Sequence, residues 1–158
     1  MWYISFIIEL TKDTKLLADL NKEVQDLHFQ EYPKIFKPYN KEDIESFFDF
    51  IINNTEMVAE LLLNNGKEVG YIIYQIKTVS ENPFKYGYKS LFVDQICIRN
   101  NLQRKGFGKL TMEYLDNVAY KNDCDFIELD YWANNIKAEK FYEKLGYINI
   151  QNYMMKHI

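Results

Sequence analysis

The amino-acid sequence predicts one α/β domain of the α+β kind, and three observations support this fold class. The chain has 158 residues, which is an ordinary length for a domain with one core. Apolar residues make up 47% of the composition and aromatic residues 16%, which is enough to close a core and excludes intrinsic disorder. Segments with helical periodicity alternate with short β-rich segments. No linker or repeat divides the chain, so we expect residues 1–158 to form a single domain.

The first half of the chain predicts a strand, two helices and a hairpin. Residues 1–8 are largely apolar and predict the first strand. Apolar side chains share one helical face between residues 11 and 30, and again between 44 and 52, where Asn40 provides an N-cap. Residues 57–63 and 69–79 are β-rich, and Asn65-Gly66 between them suits the positive φ angles of a tight hairpin.

The second half predicts alternating strands and helices. Residues 88–98 predict a strand, and residues 106–120 predict a helix that follows a polar loop. A strand is expected over 126–132, and a short helix over 136–145 that ends at Gly146. The last segment, 147–155, predicts one further strand or a pair of strands.

The charge and the cysteine content exclude several classes of function. A formal net charge of −4 argues against nucleic-acid binding through charge. Glu9 interrupts the apolar run at residues 1–8, which is too short to span a membrane and lacks a basic region. Cys97 and Cys124 form neither a disulfide framework nor a metal-ligand pattern. We therefore expect a cytoplasmic protein with no metal site and no nucleic-acid or membrane partner.

A glycine-containing loop between a strand and a helix is the first candidate binding site. Its residues are Gln103, Arg104, Lys105, Gly106, Phe107 and Gly108. Glycines there let backbone N–H groups converge on an anion, and the helix N-terminus adds partial positive charge. The spacing matches neither a Walker loop nor a dinucleotide fingerprint. On its own the hexapeptide is equally compatible with a tight turn that lets the helix pack.

A second motif makes the pattern specific. The sequence Asn-Ile-Lys-Ala-Glu-Lys-Phe-Tyr-Glu-Lys-Leu-Gly-Tyr occupies positions 135–147. Combined with Gln-x-x-Gly-x-Gly after the strand that ends at Ile98, it resembles the GNAT family of acetyl-CoA-dependent N-acetyltransferases. This resemblance implies a central mixed, mostly antiparallel sheet of six or seven strands with helices on both faces.

The resemblance also implies where acetyl-CoA binds. Strands 88–98 and 126–132 are expected to splay apart and to hold the pantetheine arm between them, paired with the backbone of Ile96, Cys97 and Ile98. The loop 103–108 is expected to hold the pyrophosphate. Asn135 is expected to bind the pantetheine arm or to cap the last helix, with Asn134 as a second candidate for the cap.

Two catalytic roles follow from the resemblance. Asp130 is the first candidate for the base that deprotonates the amine, with Asp94 and Glu128 as alternatives on the neighbouring strands. Tyr142 matches the family tyrosine that protonates the departing CoA thiolate. An acyl-cysteine mechanism at Cys97 is a further alternative, although a cysteine between two isoleucines in a strand is expected to be a core residue.

The acceptor side of the site is expected near residues 28–40. His28, Tyr32 and Phe36 are candidate substrate-binding residues, although a histidine at the end of an amphipathic helix is also compatible with a structural role. The function implied is acetyl transfer from acetyl-CoA to a primary amine of a small molecule or a protein. A non-catalytic acyl-CoA-binding or regulatory module on the same fold is the alternative, and a homodimer is expected by family analogy only.

Overall fold

The computed structural model describes residues 5–158. Within that range it contains five strands, four α-helices and a short 3-10 turn at Asn100–Leu102. The strands are β1 (Phe6–Leu10), β2 (Val58–Asn64), β3 (Lys67–Val79), β4 (Tyr88–Ile98) and β5 (Phe126–Leu129). The helices are α1 (Thr14–Glu31), α2 (Lys41–Asn54), α3 (Phe107–Lys121) and α4 (Ile136–Lys144).

All five strands belong to one sheet, in the order β1-β2-β3-β4-β5. The first four are antiparallel to their neighbours, and β5 runs parallel to β4. The predicted mixed sheet is therefore confirmed. The parallel pair arises because α3 carries the chain from the end of β4 back to its beginning before β5 starts.

Helices cover both faces of the sheet, as predicted. Tyr71 and Ile73 of β3 pack in the layer of α1 and α2, whereas Ile72 and Tyr74 pack in the layer of α3 and α4. This division follows from the alternation of side chains along a strand. The buried hydrophobic residues of the helices are Leu17, Ala18, Leu20, Phe48 and Ile51 in the first layer and Phe107, Met112, Leu115, Ala119 and Tyr142 in the second.

Local hydrogen bonds fix most element boundaries. The side chain of Asn40 accepts from the N–H of Asp43 at the start of α2, as predicted. Asp13 caps α1 in the same way by accepting from the N–H of Leu16. At the tip of the β2–β3 hairpin, Asn65 and Gly66 have φ angles of 51° and 74°. These are the positive angles that the Asn-Gly turn provides.

The number of strands differs from the prediction of six or seven. The five strands found within residues 5–158 include none over 147–155, where a strand or a pair of strands was expected. Alternating apolar residues favour a strand, but a strand also needs a hydrogen-bonding neighbour, and this segment has none among the residues that the structure describes. The strand expected over 126–132 ends earlier, at Leu129, where its pairing with β4 stops. Residues 1–4 of the expected first strand lie outside the described residues.

A β-bulge in β4 separates two regions of that strand. Ile73 pairs with Gln95 and Tyr74 pairs with Val93, so Asp94 has no partner on β3. The parallel pairing between β4 and β5 ends at Val93 and Leu129. The bulge therefore lies where the two strands separate, and residues 95–98 of β4 have no strand beside them on the β5 side.

Candidate active site

The open side of β4 presents backbone groups to the gap next to β5. The N–H of Arg99, just after β4, donates to the carbonyl of Val69 on β3 at 2.9 Å. Because successive strand residues point their N–H and C=O groups to alternate sides, those of Cys97 also face β3, and those of Ile96 and Ile98 face the gap. Two of the three predicted backbone positions, Ile96 and Ile98, are therefore oriented toward a ligand lying along β4.

The start of α3 carries a row of free backbone donors. The N–H groups of residues 104–109 make no hydrogen bond to any atom within residues 5–158. Arg104 has a φ of 63° and Gly106 a φ of 90°, which turn the chain sharply into the helix. A Cβ built on Gly106 would have no heavy atom within 4 Å, so the space above this turn is open. Such a row of donors at a helix N-terminus fits a phosphate group.

The side chains of this loop have different roles. Gln103 is turned back toward β4, because its amide donates to the carbonyl of Ile98 at 3.2 Å. Phe107 is buried and stacks on Phe6 at 5.5 Å, so it offers only its backbone to a ligand. Arg104 and Lys105 are exposed and form no ion pair with any described residue. These two cations are thus available to an anion bound at the turn.

Gly108 serves the packing of two helices. A Cβ at this position would lie 3.2 Å from the ring of Phe141 on α4. The glycine therefore lets the first turn of α3 approach α4 closely, and the neighbouring Tyr142 is held beside the same turn.

Tyr142 lies in the core of the α3–α4 layer. The side chain is 7% exposed and packs against the rings of Tyr131, Phe141 and Tyr147. Its hydroxyl makes no hydrogen bond with a described residue and is not fully enclosed, unlike that of Tyr147. Burial, with a smaller contribution from Asp130, raises the pKa of Tyr142 to about 12. The phenol is therefore protonated at neutral pH.

Two of the three candidate carboxylates lie together where β4 and β5 separate. Asp94 is the bulge residue, and Asp130 follows the last residue of β5. Burial raises the pKa of Asp94, and the nearby charge of Asp130 raises it further. Glu128 is placed differently, because it accepts hydrogen bonds from Ser90 at 2.5 Å and Tyr88 at 3.0 Å within the paired part of the strands.

A buried hydrogen-bond chain leads from α1 to the bulge. Asn21 donates from Nδ2 to the hydroxyl of Tyr71 at 2.9 Å, and that hydroxyl donates to Oε1 of Gln95 at 2.7 Å. Gln95 is the neighbour of Asp94 along β4, and its side chain lowers the pKa of the Asp94 carboxyl against the larger effect of burial. Asn21, Tyr71 and Gln95 were not identified from the sequence, because polar residues in a helix and two strands carry no local signal of a shared contact.

Cys97 points away from the gap. Its thiol lies in the α1–α2 layer, where it is 6% exposed and donates to the carbonyl of Leu20 at 3.4 Å. Burial raises the pKa of this thiol to about 12. A thiol in this setting has almost no thiolate at neutral pH, which disfavours an acyl-cysteine at this position.

The predicted acceptor-side residues form one aromatic cluster. His28 stacks on Phe36 at 4.5 Å, and both Tyr32 and Phe36 contact Trp132 at 4.8 Å. Burial lowers the pKa of His28. Trp132, two residues beyond Asp130, was missed in the sequence because it lies about a hundred positions from the other three rings. The structure brings these four rings together beside the end of β5.

The two asparagines after Trp132 have separate roles. The side-chain oxygen Oδ1 of Asn135 accepts from the N–H of Ala138 at 3.1 Å and caps α4. Asn134 donates to the carboxylate of Glu31 at 2.6 Å, which joins this loop to the end of α1. The cap predicted for this pair is thus made by Asn135.

The described residues hold neither a metal-binding cluster nor a membrane-spanning helix. Among residues 5–158, no three His, Cys, Asp or Glu side chains are grouped so that they could hold a metal ion. In the same part of the chain, no helix is long and apolar enough to cross a membrane.

A comparison with protein-family models identifies the chain. Residues 21–147 match the model described as the acetyltransferase (GNAT) family. The chain is a member of this family. The GNAT resemblance seen in the sequence is confirmed, and the match extends from within α1 to Tyr147, three residues after the end of α4. Membership in the family makes acyl transfer the general activity to consider for this gap.

Solved structures agree with the fold. The BH1408 protein from Bacillus halodurans, solved as a tetramutant, superposes with a TM-score of 0.88 at 22% identity, over 96% of this chain and 99% of that one. An acetyltransferase from Trypanosoma brucei gives a TM-score of 0.65 at 17% identity, over 98% and 100%. The protein AAC(6')-Iy, solved with the bisubstrate analogue CoA-S-monomethyl-acetylneamine, gives 0.69 at 12% identity over 97% of each chain.

Proposed function

We propose that this GNAT protein, as a single domain over residues 1–158, transfers an acetyl group from acetyl-CoA to a primary amine of a small molecule or a protein. The observation that carries the proposal is the row of free N–H groups at residues 104–109, directly beside the open side of β4. Acetyl-CoA has a pyrophosphate that suits the N–H groups and an amide-containing arm that suits the open side of β4. Bound there, it would supply a thioester as the acetyl donor.

The chain's own groups would hold this cosubstrate in two places. The N–H groups of residues 104–109, with the exposed side chains of Arg104 and Lys105, would bind the pyrophosphate oxygens. The outward backbone groups of Ile96 and Ile98 would pair with the arm as a neighbouring strand would. A backbone N–H near Ile96 to Ile98 is also suited to stabilise the negative charge that develops on the thioester oxygen.

The carboxylates at the bulge would take a proton from the amine. Asp130 remains our first candidate, and Asp94 is a second one that faces the same gap. The raised pKa of Asp94 brings it closer to the range in which a base works efficiently at neutral pH.

Tyr142 would assist departure of the CoA sulfur. Its hydroxyl is protonated, is free of other hydrogen bonds to described residues and is not enclosed. It would donate a hydrogen bond to the sulfur as negative charge develops there. The pKa near 12 indicates that this hydrogen bond, rather than complete proton transfer, is its main contribution.

The aromatic cluster would form the acceptor side. His28, Tyr32, Phe36 and Trp132 offer apolar faces, and Glu31 lies next to them through its contact with Asn134. Aromatic faces together with carboxylates favour an amine that is positively charged before it reacts. We propose no nucleic-acid or membrane partner. The two free cysteines are consistent with a reducing compartment such as the cytoplasm.

The first experiment measures thiol release from acetyl-CoA with a panel of polyamines, amino acids, aminoglycosides and N-terminal peptides. We expect turnover that depends on one class of amine. Tyr142→Phe is expected to lower kcat by on the order of 100-fold, with Tyr120→Phe, an exposed residue on α3, as its control.

A second pair of variants separates binding from chemistry. Replacing Arg104 and Lys105 with Gln is expected to raise the KM for acetyl-CoA about tenfold with little change in kcat. Lys121→Gln, at the other end of α3, is the matched control. Tight CoA binding without turnover for any amine would overturn the enzyme proposal and favour the non-catalytic acyl-CoA-binding module.

A further inference from the structure

The bulge places Asp94 and Gln95 on the same face of the sheet. Neighbouring residues of a regular strand point to opposite faces. Val93 and Ile96 both pack in the α3–α4 layer, however, so the two residues between them both point away from that layer. The hydrogen bond from Tyr71 to Gln95 agrees with this direction, because Tyr71 lies in the α1–α2 layer. The side chains of Asp94 and Gln95 are therefore neighbours in space as well as in sequence.

The hydrogen-bond chain fixes which end of the Gln95 amide faces Asp94. A tyrosine hydroxyl has one hydrogen to donate. Nδ2 of Asn21 donates to the hydroxyl of Tyr71 at 2.9 Å, and the hydroxyl hydrogen is donated to Oε1 of Gln95 at 2.7 Å. Tyr71 thus holds the oxygen of this amide. The amino group of the amide, Nε2, carries two hydrogens and is left for a further acceptor.

The chain keeps this polarity because it is enclosed. Tyr71 is fully buried, its ring packs against Phe48, and Asn21 is 7% exposed. Burial raises the pKa of Tyr71, so its hydroxyl keeps its hydrogen at neutral pH. Polar groups in an apolar layer cost stability unless they are paired, and water cannot easily replace either partner here. Reversing the chain would require the amides of Asn21 and Gln95 to turn over together.

Opposing influences act on the charge of Asp94. Partial burial raises the pKa of Asp94, and the charge of Asp130 raises it further. The side chain of Gln95 and the ammonium group of Lys77 on β3 act in the opposite direction, and Gln95 is the stronger of the two. A carboxylate can accept a proton only while it is ionised, so this balance decides whether Asp94 can serve as a base.

We propose that Asn21, Tyr71 and Gln95 are positioning residues, which direct Nε2 of Gln95 at the Asp94 carboxylate and keep it ionised to take the proton of the acceptor amine. In the reaction, the amine nitrogen bonds to the thioester carbon and the carbon–sulfur bond breaks. The proton that the amine loses passes to Asp94, and CoA leaves as the thiolate. The proposal rests on the proposed function, and it selects Asp94 from the candidate bases because the chain ends beside Asp94.

The ionisation of Asp94 can be followed without substrate. Carbon NMR of the carboxyl groups against pH gives the pKa of Asp94, whose resonance is the one missing in Asp94→Asn. Gln95→Met keeps the length of the side chain but has no donor, and it is expected to raise this pKa. Tyr71→Phe is expected to raise it as well, because the Gln95 amide is then free to turn. Gln75→Met, a half-buried glutamine of β3 that does not shift the pKa of Asp94, is the matched control.

The same variants test the role in catalysis. The ratio of variant to wild-type kcat/KM is measured against pH with an amine that is turned over, so the titration of the amine cancels. For Gln95→Met this ratio is expected to fall about threefold from the alkaline to the acidic end, since a partly exposed carboxylate loses a charged hydrogen bond. A merely structural role would lower the ratio equally at every pH. The ratio for Gln75→Met is expected to stay constant.

Three results would overturn the proposal. A pKa of Asp94 that is unchanged or lower in Gln95→Met would show that Nε2 does not face the carboxylate. A raised pKa in that variant with an unchanged pKa in Tyr71→Phe would show that the chain does not orient the amide. Raised pKa values with a ratio independent of pH would show that Asp94 is not the base. Absence of turnover with every amine would overturn the proposed function instead, and the NMR titration would still decide the orientation of Gln95.

Discussion

Replacing Tyr71 with Phe tests whether the buried hydrogen-bond chain behind Asp94 stabilises the fold. Tyr71 is fully buried, and its hydroxyl accepts from Asn21 at 2.9 Å and donates to Gln95 at 2.7 Å. Phenylalanine keeps the ring, which packs edge-on against Phe48 at 5.9 Å, and removes only the oxygen. The variant therefore isolates the two hydrogen bonds from the packing.

The expected cost follows from what the lost oxygen leaves behind. Each hydrogen bond contributes roughly 1 kcal/mol net, and a buried polar group left without a partner costs about 1–3 kcal/mol. Asn21 is 7% exposed, so water cannot easily replace its lost acceptor. We expect Tyr71→Phe to lower the free energy of unfolding by about 3 kcal/mol, which for a chain of this size corresponds to a fall in Tm of roughly 6–12 °C.

Tyr142→Phe provides a matched control. It is also a buried tyrosine, but its hydroxyl has no hydrogen-bond partner among the described residues. The free energy of unfolding of the Tyr142→Phe variant is expected to differ from that of the wild type by less than about 0.5 kcal/mol. Urea denaturation of the two variants and the wild type, followed by circular dichroism with a common m-value, measures the difference. Equal stability of the two variants would refute the argument from the hydrogen-bond chain.

Three further predictions concern other buried groups. Burial raises the pKa of Glu60, so the folded protein binds the carboxyl proton more tightly than the unfolded chain does. The free energy of unfolding therefore falls as the pH rises from the ordinary pKa of a glutamate through the raised pKa of Glu60. The urea midpoint of unfolding, measured between about pH 5 and 8, should decline less with rising pH in Glu60→Gln than in the wild type. An equal decline in the two proteins would contradict the raised pKa of Glu60. Gly70→Ala would place a Cβ 1.9 Å from the carbonyl oxygen of Cys97. We expect this clash to lower the free energy of unfolding by at least about 3 kcal/mol in the same denaturation assay. An unchanged free energy of unfolding would show that β3 and β4 can move apart to accommodate the methyl group. Ellman's reagent should label one thiol rapidly in the native protein and none in Cys124→Ser, because Cys97 is buried with a pKa of about 12; two fast thiols would argue against this burial.

The helices and the hairpin could be predicted from the sequence because their signals are local. The cap at Asn40, the Asn65-Gly66 turn and the cap at Asn135 each depend on a few neighbouring residues, and the predicted bounds of α3 and α4 differ from the observed ones by one residue. The loop 103–108 was identifiable for the same reason, since its geometry depends on two glycines and a helix start.

The features that escaped prediction depend on contacts between distant residues. Trp132 joins the aromatic cluster only because the loop after β5 reaches the end of α1, where Asn134 meets Glu31. The segment 147–155 has the alternation of a strand but no hydrogen-bonded neighbour strand within residues 5–158. The bulge at Asp94 is set by the pairing of β4 with β3, which a single strand's sequence does not record.

The bulge also divides β4 into two stretches in which residues of opposite parity face the α3–α4 layer. Before Asp94 the odd-numbered residues Leu91 and Val93 lie in the α3–α4 layer, whereas after it the even-numbered Ile96 and Ile98 do. If Asp94 were instead paired with β3 in a regular ladder, every residue after it would shift by one position against β3. The side chains of Gln95 and Cys97 would then exchange layers with those of Ile96 and Ile98, and the backbone groups now facing the gap would turn toward β3. One unpaired residue thus allows a single strand to build a core along one half of its length and a binding surface along the other.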